Sequence, residues 1–166
     1  AGDRKGAAAV EFALIFPILF VLNIGAAEAL MVYQVQRNIA HTAAVMADIT
    51  AQSRTVTDAD VQDILAASTS IIHPFPRTTL QQRVSSLTAN GSGSVSQDWS
   101  VKKDWSGSIP ASVPAGYLGA NESAIVTDVI YDYSPTFGLF LPDTIRFVRH
   151  AYARPRLTQK VEKVAS

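Results

Sequence analysis

The chain has 166 residues, a length that predicts one small domain plus an anchor. Its 14 basic and 14 acidic residues balance, which argues against a nucleic-acid binder, because a polyanion partner needs a basic face that displaces counterions. Its lack of cysteine excludes disulfides, thiolate catalysis and sulfur-rich metal sites.

A long apolar run follows the basic pair Arg4-Lys5. Residues 12–27 carry no charge, and beyond Glu28 the chain is apolar again as far as Val32. At a rise of about 1.5 Å per residue, a helix over this run spans roughly 30 Å, the thickness of a hydrocarbon core. The sequence therefore predicts a transmembrane helix. The alternatives are a buried helix of a soluble core and a cleaved secretory signal.

Small and helix-bending residues within this run are typical of a helix that contacts other helices. Pro17 removes one backbone hydrogen bond, so we expect a bend in the helix and not a break. Gly25 and the alanines beside it present small side chains that allow a second helix to approach closely. Ordinary membrane-helix composition explains the same residues equally well.

Two carboxylates stand near the two ends of the apolar run. Glu28 is expected at the outer membrane interface, where its carboxylate reaches water. Glu11 lies near the start of the helix, where the helix dipole favours an anion. That local explanation competes with a recognition role, in which another protein binds Glu11.

The residues around Glu11 read GAAAVEFALIFP from Gly6 to Pro17, and this string resembles the type IV pilin processing motif in the form used by tight-adherence (Flp) pilus systems. The resemblance implies that a prepilin peptidase cuts between Gly6 and Ala7. Glu11 then becomes the fifth mature residue, followed by the aromatic Phe12. It also implies that Glu11 meets the new α-amine of a neighbouring subunit and sets the register of helix insertion.

The length of the chain beyond the anchor favours one branch of that family. Major Flp pilins are little more than a helix, whereas over a hundred residues follow the anchor here. The chain therefore looks like the TadE/TadF-type pilus assembly proteins, which are minor pseudopilins. The strings SAIVTDVIYDYSPTFGLF and TIRFVRHAYARPR are similar to the closing strands of TadE-like domains.

Helical spacing continues beyond the anchor. Apolar residues recur every three or four positions and predict an amphipathic stalk that ends near Ser53. Thr57 and Asp60 have the spacing of a capping box, which predicts the start of a second helix. The second helix is expected to end at His73-Pro74, because a proline disfavours helical geometry at the residue before it.

From Arg77 the spacing changes to that of strands. Asn90-Gly91-Ser92-Gly93 predicts a hairpin turn between two of them. Two further strands, Ser123–Tyr133 and Thr144–Ala153, bracket a loop at Ser134–Asp143. The predicted fold class is α+β: a long N-terminal transmembrane helix that continues into a stalk and packs with a mainly antiparallel sheet of about four strands, an arrangement like that of pilins.

These elements predict a single-pass protein of the bacterial inner membrane, with its N-terminus in the cytoplasm because basic residues beside a membrane helix stay inside. The expected parts are a basic cytoplasmic leader (1–6), a transmembrane helix (7–33), a helical stalk with the second helix (34–76), a periplasmic β-rich domain (77–156) and a tail (157–166).

The exported part offers poor candidates for chemistry. His41, His73 and His150 lack the spacing of metal ligands. Asp128 and Asp132 are expected on one face of a strand, where an exposed polar face is favoured over a paired-carboxylate site. We therefore predict no catalytic residues, no metal and no cofactor.

Together these features predict a membrane-anchored assembly protein, a minor pseudopilin that inserts its helix into a bundle of like helices. Its expected partners are the inner membrane, other pilins or pseudopilins and a prepilin peptidase, with no nucleic acid and no small-molecule substrate. The alternative is a single-pass accessory subunit of another inner-membrane complex, docked through an uncleaved helix. A tethered periplasmic enzyme is the third hypothesis. The residues assigned to assembly and helix docking are Glu11, Phe12, Pro17, Gly25 and Glu28.

Overall fold

The computed structural model describes residues 4–165, with side chains from residue 6 onward; the first three residues of the expected leader and the last of the expected tail lie outside the described residues. The protein contains a long helix, a shorter one and a four-stranded sheet, which confirms the α+β class. The elements in chain order are α1 (Arg4–Ala51), β1 (Thr55–Val56), α2 (Asp58–Ser68), a 3-10 helix (Thr69–Ile72), β2 (Leu80–Ala89), β3 (Val95–Lys103), β4 (Ser123–Tyr133), β5 (Ile145–Ala153) and β6 (Glu162–Lys163).

The long helix α1 runs for 48 residues without interruption. It passes through Pro17, so the helix continues there as predicted, although proline leaves the Ala13 carbonyl without its usual N–H partner. The C-terminal half of α1 buries one stripe of side chains spaced by three or four residues, which packs on β4 and β5. The stripe consists of Val35, Ile39, Ala43 and Met46.

The main sheet has the strand order β3-β2-β4-β5, and all its neighbours are antiparallel. The predicted hairpin joins β2 to β3, and the Asn90 side-chain oxygen accepts hydrogen bonds from the N–H groups of Ser92 and Ser94 at 3.0 and 2.9 Å. Gly93 has φ +81°, a conformation that favours glycine. The central strand β4 is almost wholly buried, because α1 covers one of its faces and a loop covers the other.

The second helix begins as predicted. The Thr57 hydroxyl accepts a hydrogen bond from the Asp60 N–H at 3.1 Å, and the Asp60 carboxylate accepts one from the Thr57 N–H at 2.8 Å. The hydrogen bonds that the N–H and the hydroxyl of Thr57 donate to this carboxylate lower the pKa of Asp60. The reciprocal pair satisfies N–H groups that have no partner inside the helix.

A two-stranded parallel sheet between β1 and β6 was not predicted. It returns the C-terminal segment to the domain, where Val161 is fully buried and its carbonyl accepts a hydrogen bond from the Trp99 indole at 2.9 Å. The segment that the sequence suggested as a tail, residues 157–166, therefore contributes to the core at Val161.

The sheet face opposite α1 carries a buried ion pair, and the expectation of an exposed polar face was wrong for Asp128. Arg83 donates to one Asp128 oxygen at 2.8 and 2.5 Å, and the His150 Nδ1 atom lies 2.5 Å from the other. The loop after β3 covers this face: the Arg83 guanidinium lies 4.4 Å from the Trp105 ring centroid and donates to the Ile109 carbonyl at 2.6 Å. Arg83, held by Asp128, thus fastens the loop to the sheet.

Asp132, on the same face of β4, pairs with Arg146 at 2.7 Å. The Arg146 side chain is 64% exposed, so water screens this pair. Hydrogen bonds from Arg146 lower the pKa of Asp132. The two aspartates therefore share a strand face as predicted but lie in different environments.

We expect Asp128→Asn to destabilise the full-length protein by about 3–5 kcal/mol, because it leaves the buried Arg83 charge without its partner. The matched control Asp132→Asn removes an exposed pair and should change stability by about 1 kcal/mol or less. Urea unfolding in detergent micelles, followed by the fluorescence of Trp99 and Trp105, measures both. Equal losses in the two variants would contradict a structural role specific to Asp128.

Candidate functional site on the long helix

The N-terminal part of α1 extends beyond the sheet domain with its side chains uncovered. Every residue from Gly6 to Asn23 is exposed. These residues include large apolar side chains that a soluble protein ordinarily buries, among them Phe12, Leu14, Phe16, Ile18, Phe20 and Leu22. None of the most apolar window of α1 is buried, which contradicts the alternative of a soluble core helix, and the helix is long and apolar enough to cross a membrane.

Glu11 and Phe12 lie at the start of this exposed segment. Phe12, Phe16 and Phe20 form a row of rings on one side of the helix, with centroid distances of 5.6 and 5.9 Å between neighbours. Residues four apart share a helix face, so the row follows from the sequence spacing. Gly6 and Ala7, the residues of the expected cleavage point, lie in the first turns of α1 and are also exposed.

Glu28 occupies a different environment, and the expectation that its carboxylate reaches water was wrong. Its side chain is 1% exposed, because the loop between β4 and β5 folds back along α1 and covers it. The Glu28 Oε1 atom accepts hydrogen bonds from the N–H groups of Phe137 and Gly138 at 2.9 and 2.6 Å. Gly138 has φ +62°, which favours glycine at this turn. We call this set of contacts the Glu28 clip.

Gly25 lies one turn before Glu28 and contacts the same loop. A Cβ atom at Gly25 would stand 3.2 Å from the Phe140 ring, so the ring packs closely against the helix because no side chain intervenes. In this structure, therefore, the chain's own loop uses the close approach that Gly25 allows. Ala26 and Ala29 beside it remain exposed.

A tyrosine lies near the Glu28 clip on the domain side. Burial and the negative charge of Glu28 both raise the pKa of Tyr133, so its phenol stays neutral at physiological pH. The Tyr133 hydroxyl and the Glu28 Oε2 atom are buried without a hydrogen-bond partner among residues 6–165. Glu28 therefore holds the loop through Oε1 alone.

Sequence reasoning missed the Glu28 clip, although one pattern in the sequence points to it. The loop reads SPTFGLFLPD, with four large apolar residues and no charge before Asp143. Loops that face water are seldom so apolar, because their side chains have nothing to pack against. This composition indicates a loop that lies against another apolar surface, here α1.

The described part of the chain has no arrangement suited to holding a metal: residues 6–165 contain no group of three or more His, Asp or Glu side chains in a suitable cluster. Asp128, whose carboxylate lies against His150, already accepts hydrogen bonds from Arg83. That arrangement orders a loop and presents no free ligand.

Residues 6–48 match the family model described as TadE-like protein. The match confirms the resemblance read from the string between Gly6 and Pro17. It covers the exposed apolar segment and most of the stalk, and it ends within α1, before the sheet domain. No curated protein and no solved structure matches the chain.

We expect Glu28→Ala to release the loop from α1, since it removes a charged acceptor worth about 1.5–3 kcal/mol. Amide exchange at Phe137 and Gly138 should become at least about tenfold faster, because 1.4 kcal/mol corresponds to a factor of ten. Hydrogen–deuterium exchange of full-length protein in micelles measures this change. The control Glu28→Gln keeps an acceptor oxygen and should retain most of the protection; unchanged exchange in Glu28→Ala would exclude the clip.

Proposed function

From the TadE-like segment of the long helix, we propose that this protein is a membrane-anchored minor pseudopilin of a tight-adherence pilus. The observation that carries the proposal is the exposed apolar part of α1, which falls inside the family match at residues 6–48. The helix would cross the bacterial inner membrane once, with the N-terminus in the cytoplasm and the sheet domain in the periplasm. Its role would be structural and not catalytic.

Glu11 is the residue proposed to recognise a neighbouring subunit. Cleavage between Gly6 and Ala7 would create an α-amine at Ala7. In a bundle of apolar helices, the amine of one chain and the Glu11 carboxylate of the next attract strongly, because the surroundings have a low dielectric constant. A helix inserted out of register would leave the carboxylate unpaired at a cost of about 3–5 kcal/mol, so the pair selects one register.

The row of rings from Phe12 to Phe20 would supply the packing surface beside that ion pair. Association of helices in lipid depends on close van der Waals contact, since hydrocarbon is as apolar as the side chains themselves. The aromatic row is exposed along its length and lies directly after Glu11. Pro17 follows Phe16 in this segment, and a bend there would help the helix fit its neighbours.

The contacts of Glu28 and Gly25 weigh against a secretory signal cleaved after Ala29. Such a cut would remove both residues and leave the loop between β4 and β5 without its hydrogen-bond acceptor and its packing partner. The buried stripe on the C-terminal half of α1 belongs to the same helix and begins at Val35. Anchor and domain are therefore better explained as one retained unit.

We expect Glu11→Ala to leave membrane insertion intact and to abolish incorporation into the pilus assembly. The physical reason is that the substitution removes the partner of the α-amine while it makes the helix more apolar. Membrane fractionation checks insertion, and cross-linking followed by identification of co-purified subunits from native membranes checks incorporation.

The matched control is Leu14→Ala, one turn further along, which shortens an exposed apolar side chain without removing a charge. It should assemble nearly as well as the native chain. Normal piliation in the Glu11→Ala strain would count against the recognition role of Glu11.

Processing provides a separate prediction. Mass spectrometry of the protein from native membranes should find Ala7 as the first residue, and Gly6→Leu should block this cleavage, because the bulky side chain obstructs the peptidase. A native N-terminus that still carries Gly6 would favour the alternative, an accessory subunit of another inner-membrane complex that docks through an uncleaved helix.

A further inference from the structure

The loop between β4 and β5, residues 134–143, exposes apolar side chains beside the membrane-crossing segment. Phe137 and Leu139 are each 55% exposed, and Phe140 is 64% exposed. The loop carries no charge before Asp143, at its end. An exposed patch of this kind marks a surface that another apolar phase covers.

The position of the loop along α1 indicates that the apolar phase covering it is the membrane. The Phe140 ring lies against Gly25, and Gly25 precedes the end of the apolar run at Val32 by roughly 10 Å of helix. If α1 crosses the membrane as proposed, the loop lies level with the outer part of the bilayer. The helix is uncovered up to Asn23, and the loop continues its apolar surface from there.

The backbone N–H groups at the centre of the loop have hydrogen-bond partners, as a segment in the outer part of the bilayer requires. Irregular backbone is costly in hydrocarbon because its N–H groups lack partners. Two successive N–H groups of the loop, those of Phe137 and Gly138, are satisfied by the Glu28 carboxylate, while the Phe137 and Leu139 side chains remain more than half exposed.

We propose that residues 134–143 insert into the outer leaflet of the membrane, at the boundary between headgroups and acyl chains. The loop then acts as a second membrane contact beside α1 and fixes the angle of the sheet domain to the bilayer. This inference rests on the membrane-spanning part of the proposed function and not on pilus assembly. The apolar face of an interfacial helix is buried about 5–10 Å into this boundary, and we expect a similar depth for the loop.

The absence of cysteine from the chain makes a direct test practical. Phe140→Cys in the full-length protein takes a single environment-sensitive fluorophore, and the labelled protein is reconstituted into vesicles of phosphatidylethanolamine and phosphatidylglycerol that contain brominated lipid. We expect lipid quenching several-fold stronger than for the control Ser92→Cys, which lies at the exposed hairpin turn. Leu139→Cys repeats the measurement at a site that does not pack on Gly25.

A third probe separates the possible failures. The fluorophore on Leu22→Cys reports whether the helix spans the bilayer. If it is quenched while the fluorophores at positions 139 and 140 are quenched no more than the one at position 92, the loop proposal is overturned. If position 22 is also unquenched, the membrane-spanning premise and the proposed function fail together. Cross-linking of position 140 to a second copy of the chain, without lipid quenching at that position, would also overturn the loop proposal, in favour of a protein partner.

Discussion

The structure depends on one helix that meets two different environments. The C-terminal half of α1 buries Val35, Ile39, Ala43 and Met46 in the core of the sheet domain, while residues 6–23 are exposed on all sides. At about 1.5 Å per residue its 48 residues extend for roughly 70 Å, far longer than a small domain needs. The exposed apolar segment and the helical part of the core thus belong to one continuous helix.

The Glu28 clip lies where these two environments meet. A buried carboxylate is tolerated here because two backbone N–H groups of the loop donate hydrogen bonds to the Glu28 Oε1 atom. Glu11 and Glu28 look equivalent in the sequence, one at each end of an apolar run. The structure distinguishes them, since Glu28 is used within the chain whereas Glu11 remains on the exposed part of the helix. The residues assigned to helix docking therefore divide: Gly25 and Glu28 contact the loop, and Phe12 and Pro17 lie in the uncovered segment.

Features set by near neighbours in the sequence were predictable. The capping box at Thr57, the hairpin turn at Asn90 and the bounds of β4 all follow from local spacing. Features made by distant residues were not. Two-residue strands such as β1 have no periodicity to read, and the pairing of Asp128 with Arg83 joins positions 45 residues apart. Apolar residues alternate imperfectly along β3, because Gln97 interrupts the pattern of Val95, Trp99 and Val101. Only the pairing shows the cause, a shift of register opposite Ser86 and Leu87.

The fold also limits how a neighbouring helix approaches α1. With about 100° of rotation per residue, Phe12 lies roughly 160° around the axis from Glu28, on the far side of the helix from the loop. The loop fills the side of Gly25 and Glu28, whereas no part of the sheet domain covers the row of rings within the described residues. A helix that packs on the aromatic side would therefore not displace the loop. Glu11 lies about 100° around the axis from Phe12 and about 40° from Gly25, but roughly 21 Å along the helix from that glycine, where the loop does not cover it. Recognition at Glu11 is therefore compatible with an intact clip at Glu28.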